Sequence, residues 1–229
     1  MPQSIEIQLS PATLTALKEL GYALYVMRAF NTTNAAGKPL VWIVETNYLE
    51  NNQLTFDSAY AAYVSTSQVI ANGVVVASSY APVEIGQTAT VAANGELTVT
   101  VTGNPAGITL VNGSTTPYTT GVAAAINGQN PAPIFAEPLF GLAEDIAAPL
   151  DKFLLTFSTQ GVTPGTLVEH AMSQSLLVDI SNLNQASVNF DINTGWNAAG
   201  AAWATPVAAG TNLIPVLVHE QPMVALQNA

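Results

Sequence analysis

The sequence contains few charged residues. Asp, Glu, Lys and Arg make up 8% of its 229 residues, against roughly 25% in an average soluble domain. Hydrophobic residues make up 49%, a content that argues against disorder. Uncharged polar side chains must therefore complete the exterior. Such a surface is typical of extracellular proteins, of shells, and of subunits that bury their exterior against copies of themselves.

Basic residues are the scarcest charged group. Four bases stand against 15 acids, for a net charge of −11; they are Lys18, Arg28, Lys38 and Lys152. Phosphate contacts need clustered Lys and Arg, so nucleic acid is not expected as a partner. Polybasic attraction to anionic lipid is excluded for the same reason. A membrane role would have to depend on apolar, aromatic or sugar-headgroup contacts with a neutral surface.

Cysteine and long apolar runs are also missing. Without cysteine there are no disulfides, no thiolate zinc sites and no thiol catalysis, and we expect no cofactor. No apolar run approaches the roughly 18 residues of a transmembrane helix. The first ten residues have neither the basic start nor the apolar stretch of a secretory signal, so none is expected. The localisation stays unknown, although the composition favours an extracellular protein or an assembled particle.

Short strand-like runs separated by turn signals dominate the chain. Asn-Gly between apolar runs is the strongest short-range hairpin signal, because both residues tolerate positive φ. The dipeptide occurs at 72–73, 94–95, 112–113 and 127–128. Many short strands at this spacing predict an all-β fold, an antiparallel β-sandwich. We expect a single domain over residues 1–229, since no polar linker divides it. Two packed sandwich halves, 1–130 and 131–229, are the alternative.

One short helix is predicted near the N-terminus, at residues 11–20. Ser10 is a favourable N-cap, Pro11 a favourable first helical residue, and Gly21 stands where a C′ glycine belongs. Residues 139–152 are expected to form one or two helical turns. Residues 213–218 are expected to form the last strand.

The segment 86–103 predicts a hairpin with one apolar and one threonine-rich face. A three-residue loop, Ala93–Asn94–Gly95, pairs Val91 with Leu97 and Ala89 with Val99, whereas a two-residue loop would mix both faces. Register follows the buried face, so the three-residue loop is preferred, with Gly95 in the left-handed region.

The two faces of this hairpin have different expected surroundings. The apolar side chains should face the core; they are Ala89, Val91, Leu97, Val99 and Val101. The threonines should face solvent or another subunit; they are Thr98, Thr100 and Thr102. Membrane entry is disfavoured, because a spanning strand needs roughly 9–11 residues and each arm is shorter.

A loop rich in glycine and alanine contains the candidate ligand-binding residues. Tryptophan beside carboxamides suits a sugar, which has apolar C–H faces and hydroxyls, or a lipid headgroup region. The candidates are Trp196, Trp203, Asn193, Asn197 and Asn212. In the alternative interpretation, one or both tryptophans close the end of the sandwich.

Two weak patterns for metal binding occur. Residues 191–195 contain D-x-N-x-G, in which Asp191 and Asn193 resemble the start of a calcium loop. The later acidic ligands are missing, and an Asx-rich turn explains the pattern more simply. His170 and His219, each beside a glutamate, would be transition-metal ligands if the fold brought them together. Neighbours in a strand point to opposite faces, which favours two unrelated histidines.

Three functions from different classes fit these observations. The first is a non-enzymatic, self-associating β-sandwich that recognises a glycan or neutral membrane surface, in the manner of lectins or β-type pore-forming proteins. The second is a structural shell, filament or coat subunit. The third is a glycoside hydrolase with two carboxylates, although no catalytic motif is present. Self-association is favoured because charges, often Lys, usually guard sheet edges, and no base follows Lys152.

Overall fold

A computed structural model describes residues 3–220, apart from the side chains of Asp57 and Ser58. Strands occupy most of this part of the chain, and its two helices are short. The elements are β1 Gln3–Leu9, α1 Pro11–Glu19, β2 Ala23–Thr32, β3 Lys38–Pro39, β4 Ile43–Glu45, β5 Asn51–Ser65, β6 Ser79–Val83, β7 Thr88–Val91, β8 Leu97–Thr100, β9 Ile108–Asn112, β10 Tyr118–Ile126, β11 Ala132–Pro133, β12 Phe135–Leu139, β13 Glu144–Ser158, β14 Ser175–Asp179, β15 Gln185–Asp191, β16 Gly195–Asn197, β17 Ala204–Val207, α2 Ile214–Leu217 and β18 Val218–Glu220.

These strands form two packed sheets. The first has the order β16-β15-β1-β5-β10-β12-β3, with β6 joined to β5 and β11 to β10. The second has the order β17-β14-β13-β9-β7-β8; β2 is paired with β13, and β4 and β18 with β2. The predicted all-β sandwich with a short N-terminal helix is confirmed. Most strand pairs are antiparallel, as predicted; among the described strands the exceptions are β1–β15, β7–β9 and β2–β18, which are parallel.

Aromatic side chains fill the space between the sheets. Phe56 of the first sheet stacks on Phe153 of the second, with ring centroids 3.8 Å apart. Phe30 and Phe135 make a second such pair at 3.9 Å. Trp42 lies beside the first pair, and its indole Nε1 donates to the Ala124 carbonyl at 3.0 Å. The hydrogen bond of the indole N–H explains how the Trp42 ring is buried without an unpaired donor.

Two further apolar clusters cover much of the outer faces of the sheets. Side chains of β2 and β13, including Tyr25 and Leu154, are covered on the outer face of the second sheet by residues such as Leu213 and Leu217. On the first sheet, the cluster contains Leu40, Ala61, Tyr63, Val75, Ala123, Ala136 and Leu167. The strands β16, β15, β1 and the first half of β5 contribute no residue to these outer clusters.

Helix α1 has the predicted caps. Ser10 Oγ accepts a hydrogen bond from the Thr13 backbone N–H at 3.1 Å. Gly21, just beyond the last turn, has a φ of +71°, a conformation that glycine adopts without a Cβ penalty. Leu17 is fully buried in the core between the sheets, so tertiary packing stabilises a helix too short to be stable alone.

Two local predictions are wrong. The segment 139–152, expected to be helical, is extended from Glu144 onward because β13 pairs with β9 and β2 on its two sides. The expected strand at 213–218 instead contains helix α2 followed by β18. Pro215 lies in the first turn, a position that favours a helix start, and the Asn212 side chain accepts from the Ile214 N–H at 3.0 Å in the turn before the helix.

The hairpin of β7 and β8 has the predicted register. Val91 pairs with Leu97 and Ala89 with Val99, and Gly95 has a φ of +80°. Ala89 and Val91 are buried, Leu97 and Val99 pack partly buried against the core, and the predicted outward threonines are exposed. Val101 was expected to face the core, which is wrong: it is 84% exposed, because pairing with β7 ends at Thr100.

A pair of substitutions tests this face assignment. Val99→Asp places a charge against the apolar core and should lower the free energy of unfolding by several kcal/mol. Thr100→Asp, on the exposed face of the same strand, should change it by less than about 1 kcal/mol. Urea unfolding of both variants measures the difference. A stable Val99→Asp beside an unfolded Thr100→Asp would invert the assignment.

Candidate binding face

The uncovered part of the first sheet is a polar face. Along β1, Ile5 and Ile7 point into the core, so Glu6 and Gln8 point to the opposite side, since side chains alternate along a strand. The same alternation holds in β5, β15 and β16. We call the outward set the amide face: Ser4, Glu6, Gln8, Asn51, Gln53, Thr55, Gln185, Ser187, Asn189 and Asn197. Ser4 is buried within this set, and the other members are half-buried or exposed.

Strand register arranges the amide face in rows across the sheet. Gln8 pairs with Asn51 on one side and with Asn189 on the other, and Asn189 pairs with Asn197. The next row is Gln53, Glu6 and Ser187, and the third is Thr55, Ser4 and Gln185. Neighbouring strands lie about 4.8 Å apart, and residues i and i+2 lie about 7 Å apart. The face is therefore a regular array of hydrogen-bonding groups.

A groove lies on this array. Its volume is about 350 Å³, and its lining residues are Glu6, Asn51, Asn52, Gln53 and Gln185. Gln8 Nε2 donates to Glu6 Oε1 at 3.1 Å, which orients the one carboxylate of the amide face. Each carboxamide supplies both donors and acceptors. The groove can therefore accept and donate hydrogen bonds without a strong local charge.

The two candidate tryptophans do not lie on this face. Trp196 is 9% exposed, and its ring packs against Phe157 and Phe190 at centroid distances of 5.6 and 4.9 Å. Its Nε1 donates to the Gln174 carbonyl at 3.3 Å. Trp203 is partly buried against the same core. The Trp196 ring is thus a core group without a free face for a sugar, as the alternative interpretation expected.

The three candidate asparagines are separated by the fold. Asn197 lies on the amide face, where its Oδ1 accepts from the Ala199 N–H at 2.8 Å. Asn193 is exposed in the turn before β16. Asn212 forms an isolated bridge with His170, and its Oδ1 accepts from the Ile214 N–H in the turn before α2. One candidate, Asn197, therefore belongs to the candidate binding face.

Asp191 is held as a turn residue. Its Oδ1 accepts from the backbone N–H groups of Asn193 and Thr194 at 2.9 and 3.2 Å, and its Oδ2 accepts from Thr13 Oγ1 at 2.9 Å. These hydrogen bonds hold the pKa of the Asp191 carboxyl below its usual value. Both oxygens face donors, the arrangement of an Asx turn. Within residues 3–220, no group of three or more His, Cys, Asp or Glu is placed to hold a metal.

The two histidines are not part of a metal cluster either. His170 is exposed, and the neighbouring Glu169 forms an ion pair with Lys38 at 2.8 Å. His219 lies in β18 beside β2, and its Nε2 is buried without a hydrogen-bond partner among the described residues. Burial, and secondarily the charge of Lys152, lower the pKa of His219.

A buried carboxyl, Glu137, is the most perturbed acid of the described chain. It is 0% exposed, Thr32 Oγ1 donates to its Oε2 at 2.6 Å, and its Oε1 has no partner among the described residues. Burial raises its pKa to about 8, and the charge of Asp145 adds to the effect. A raised pKa beside a second carboxylate is typical of acid–base sites, but the Glu137 side chain is fully buried and no substrate can reach it.

Glu137 makes the stability of the protein depend on pH. Its carboxyl takes up a proton near pH 4.5 when unfolded and near pH 8 when folded. Below pH 4.5 both states are protonated; as pH rises to 8 only the folded state keeps the proton, so the free energy of unfolding falls. In Glu137→Gln the free energy of unfolding should not show this decrease, because glutamine has no carboxyl to titrate.

The measurement is denaturant unfolding between about pH 5 and pH 9. The wild type should lose several kcal/mol more than Glu137→Gln, since each pKa unit corresponds to about 1.4 kcal/mol. Glu144→Gln, which changes an exposed carboxyl at the start of β13, is the matched control and should follow the wild type. Parallel pH profiles for wild type and Glu137→Gln would contradict the prediction.

The amide face was missed at the level of sequence. A signal was present: Ser4, Glu6 and Gln8 alternate with Ile5 and Ile7, and the residues of β15 alternate in the same way. The alternation did not show that β1 pairs with β15 in parallel. The two strands lie at opposite ends of the chain, and alternation does not say which strands are neighbours.

Neither helix within residues 3–220 is long and apolar enough to cross a lipid bilayer. Comparison with known proteins adds no relative: no family model matches the chain, and neither a curated protein nor a solved structure is detectably similar to it.

Proposed function

We propose that the chain is a non-enzymatic glycan-binding protein and that the amide face is its binding site. The observation that carries the proposal is the regular array of carboxamides and hydroxyls, left uncovered on four adjacent strands while apolar clusters cover much of the other sheet faces. The proposed ligand is a neutral sugar chain that lies in the groove lined by Glu6 and Gln53.

The chemistry of the amide face supports a sugar over other surfaces. Sugar hydroxyls both donate and accept hydrogen bonds, as carboxamides do. The face has no Lys or Arg for phosphate and no apolar side chain for insertion among lipid tails. Glu6 is the one charge, and a carboxylate accepts hydrogen bonds from hydroxyls more strongly than a neutral group does. A neutral polyhydroxylated ligand is therefore the best chemical match.

The glycoside hydrolase alternative has less support. A hydrolase needs two carboxyl groups on either side of a bound sugar, and the amide face has one. Asp191, two residues beyond Asn189 on β15, has its oxygens hydrogen-bonded to Thr13 and to the backbone of its own turn. The charge of Asp145 helps to raise the pKa of Glu137, but the Glu137 side chain is fully buried. Binding without hydrolysis is the function that these residues support.

The proposal is tested by binding to an array of neutral and charged glycans. The wild type should bind neutral glycans. Gln53→Ala combined with Gln185→Ala removes two exposed carboxamides from the groove lining. At about 1 kcal/mol for each lost hydrogen bond, affinity should fall by about tenfold or more.

The matched control is Asn212→Ala, which removes an exposed carboxamide from outside the amide face and should leave glycan affinity unchanged. Vesicles of zwitterionic lipid are the second probe, and neither form should bind them. Binding to no glycan, or equal affinity of the wild type and the double variant, would contradict the proposal.

A further inference from the structure

The edge strands of both sheets carry protective features, with one exception. Natural sheets guard their edges with charges, prolines or very short strands, because an open edge pairs with other chains. Among the described strands that pair on one side alone, β3, β6, β11 and β17 contain proline, and β4 and β18 contain glutamate. Strand β16 is three residues long and begins at Gly195, with a φ of +81°.

Strand β8 is the exception. Its sequence, Leu97-Thr98-Val99-Thr100, has no charge and no proline, and its pairing with β7 runs without a bulge. The residue that follows, Val101, is 84% exposed. Strand β8 therefore ends the second sheet as an edge without a second pairing strand, and β6 of the first sheet packs near it.

The hydrogen-bond pattern of the hairpin shows which backbone groups are free. Ala92 N donates to Glu96 O at 2.9 Å, so these two residues form a hydrogen-bonded pair. Pairs alternate along an antiparallel ladder, and therefore Thr98 and Thr100 also bond to β7. The N–H and C=O groups of Leu97 and Val99 point away from β7, and neither residue's backbone has another partner within residues 3–220.

We propose that β8 pairs in antiparallel fashion with β8 of a second copy of this chain, which makes the protein a two-fold symmetric dimer. With the axis at Val99, the two Val99 residues exchange their free N–H and C=O groups, and Leu97 pairs with Val101 of the second copy. This pairing accounts for the exposure of Val101 in the single chain. It also joins the two second sheets into one continuous sheet.

The sequence of β8 is complementary to itself in this register. Thr98 lies opposite Thr100 of the second copy, so threonines meet on the exposed face, and cross-strand Thr–Thr pairs are favourable. Val99 lies opposite its own copy on the core side. The other edges of a second copy are less suitable partners, because each carries a proline, a charge or a very short strand.

Charge also favours this site for contact between copies. Two chains of net charge −11 repel each other, and the repulsion is smallest where no acid lies at the contact. No charged residue occurs from Leu97 through Ala136. A single short strand is a small contact beside the roughly 1,600 Å² of a standard interface, so the dimer should dissociate on dilution.

The experiment measures mass by light scattering from micromolar to millimolar concentration. The wild type should reach twice 23.8 kDa as concentration rises. A Thr98→Lys/Thr100→Lys variant and a Thr98→Glu/Thr100→Glu variant should each remain monomeric, since like charges meet across the axis. An equimolar mixture of the two should dimerise again. The lysine variant has a smaller net charge than the wild type, so weaker overall repulsion cannot explain its loss of the dimer.

Three controls separate this result from misfolding, from the effect of a lysine at another edge and from the proposed function. Circular dichroism should be the same for all forms, because Thr98 and Thr100 are exposed. Thr205→Lys, at an exposed position of the guarded edge β17, should leave the dimer intact. Glycan affinity should be unchanged, because the amide face lies on the other sheet. A monomeric wild type at all concentrations, a dimeric lysine variant, or a mixture that stays monomeric would overturn the proposal.

Discussion

The pairing of β2 with β13 is the interaction on which the rest of the structure depends. Strand β2 is buried on both faces: Val26 and Phe30 pack between the sheets, whereas Tyr25 and Met27 pack under the connections that cover the second sheet. A strand buried on both faces needs covering layers on both sides. The first sheet supplies one layer, and segments near α2 supply the other. These connections cover the outer face of the second sheet, whereas no apolar cluster covers the outer faces of β15 and β1.

Two ionisable groups in this interior are accommodated in opposite ways. Arg28 is paired: its Nη2 donates to Asp151 Oδ1 at 2.9 Å and its Nε to the Leu150 carbonyl at 2.8 Å, where the register of β13 shifts between Pro149 and Phe153. Its Nη1 is buried without a hydrogen-bond partner among the described residues. Its guanidinium also lies 5.2 Å from the centre of the Phe153 ring. Glu137 has no cationic partner within hydrogen-bonding distance, so burial raises its pKa and keeps it protonated. A paired charge and a neutral acid are the two forms in which such groups are buried at acceptable cost.

Local signals predicted what depends on a few neighbouring residues. Ser10 and Gly21 defined the ends of α1, and the hairpin register followed from the alternation around Gly95. The same reasoning failed where distant pairing decides the structure. Val101 continues the alternation of β8, but its partner strand has already ended. The packing of Trp196 against Phe157, a distant residue in sequence, was likewise not visible in any local pattern. The amide face needs β1 and β15 side by side, which no local pattern contains.

The central claim is that the amide face recognises a neutral glycan. The most direct test is a heteronuclear NMR titration of the isotope-labelled protein with a neutral oligosaccharide selected by array binding. The account predicts that backbone and side-chain amide shifts move along β1, β15, β16 and the first half of β5, with Gln8 and Asn189 among them. Shifts confined to the Asn212 region or to the β7–β8 hairpin would contradict the account. So would the absence of any shift at saturating oligosaccharide.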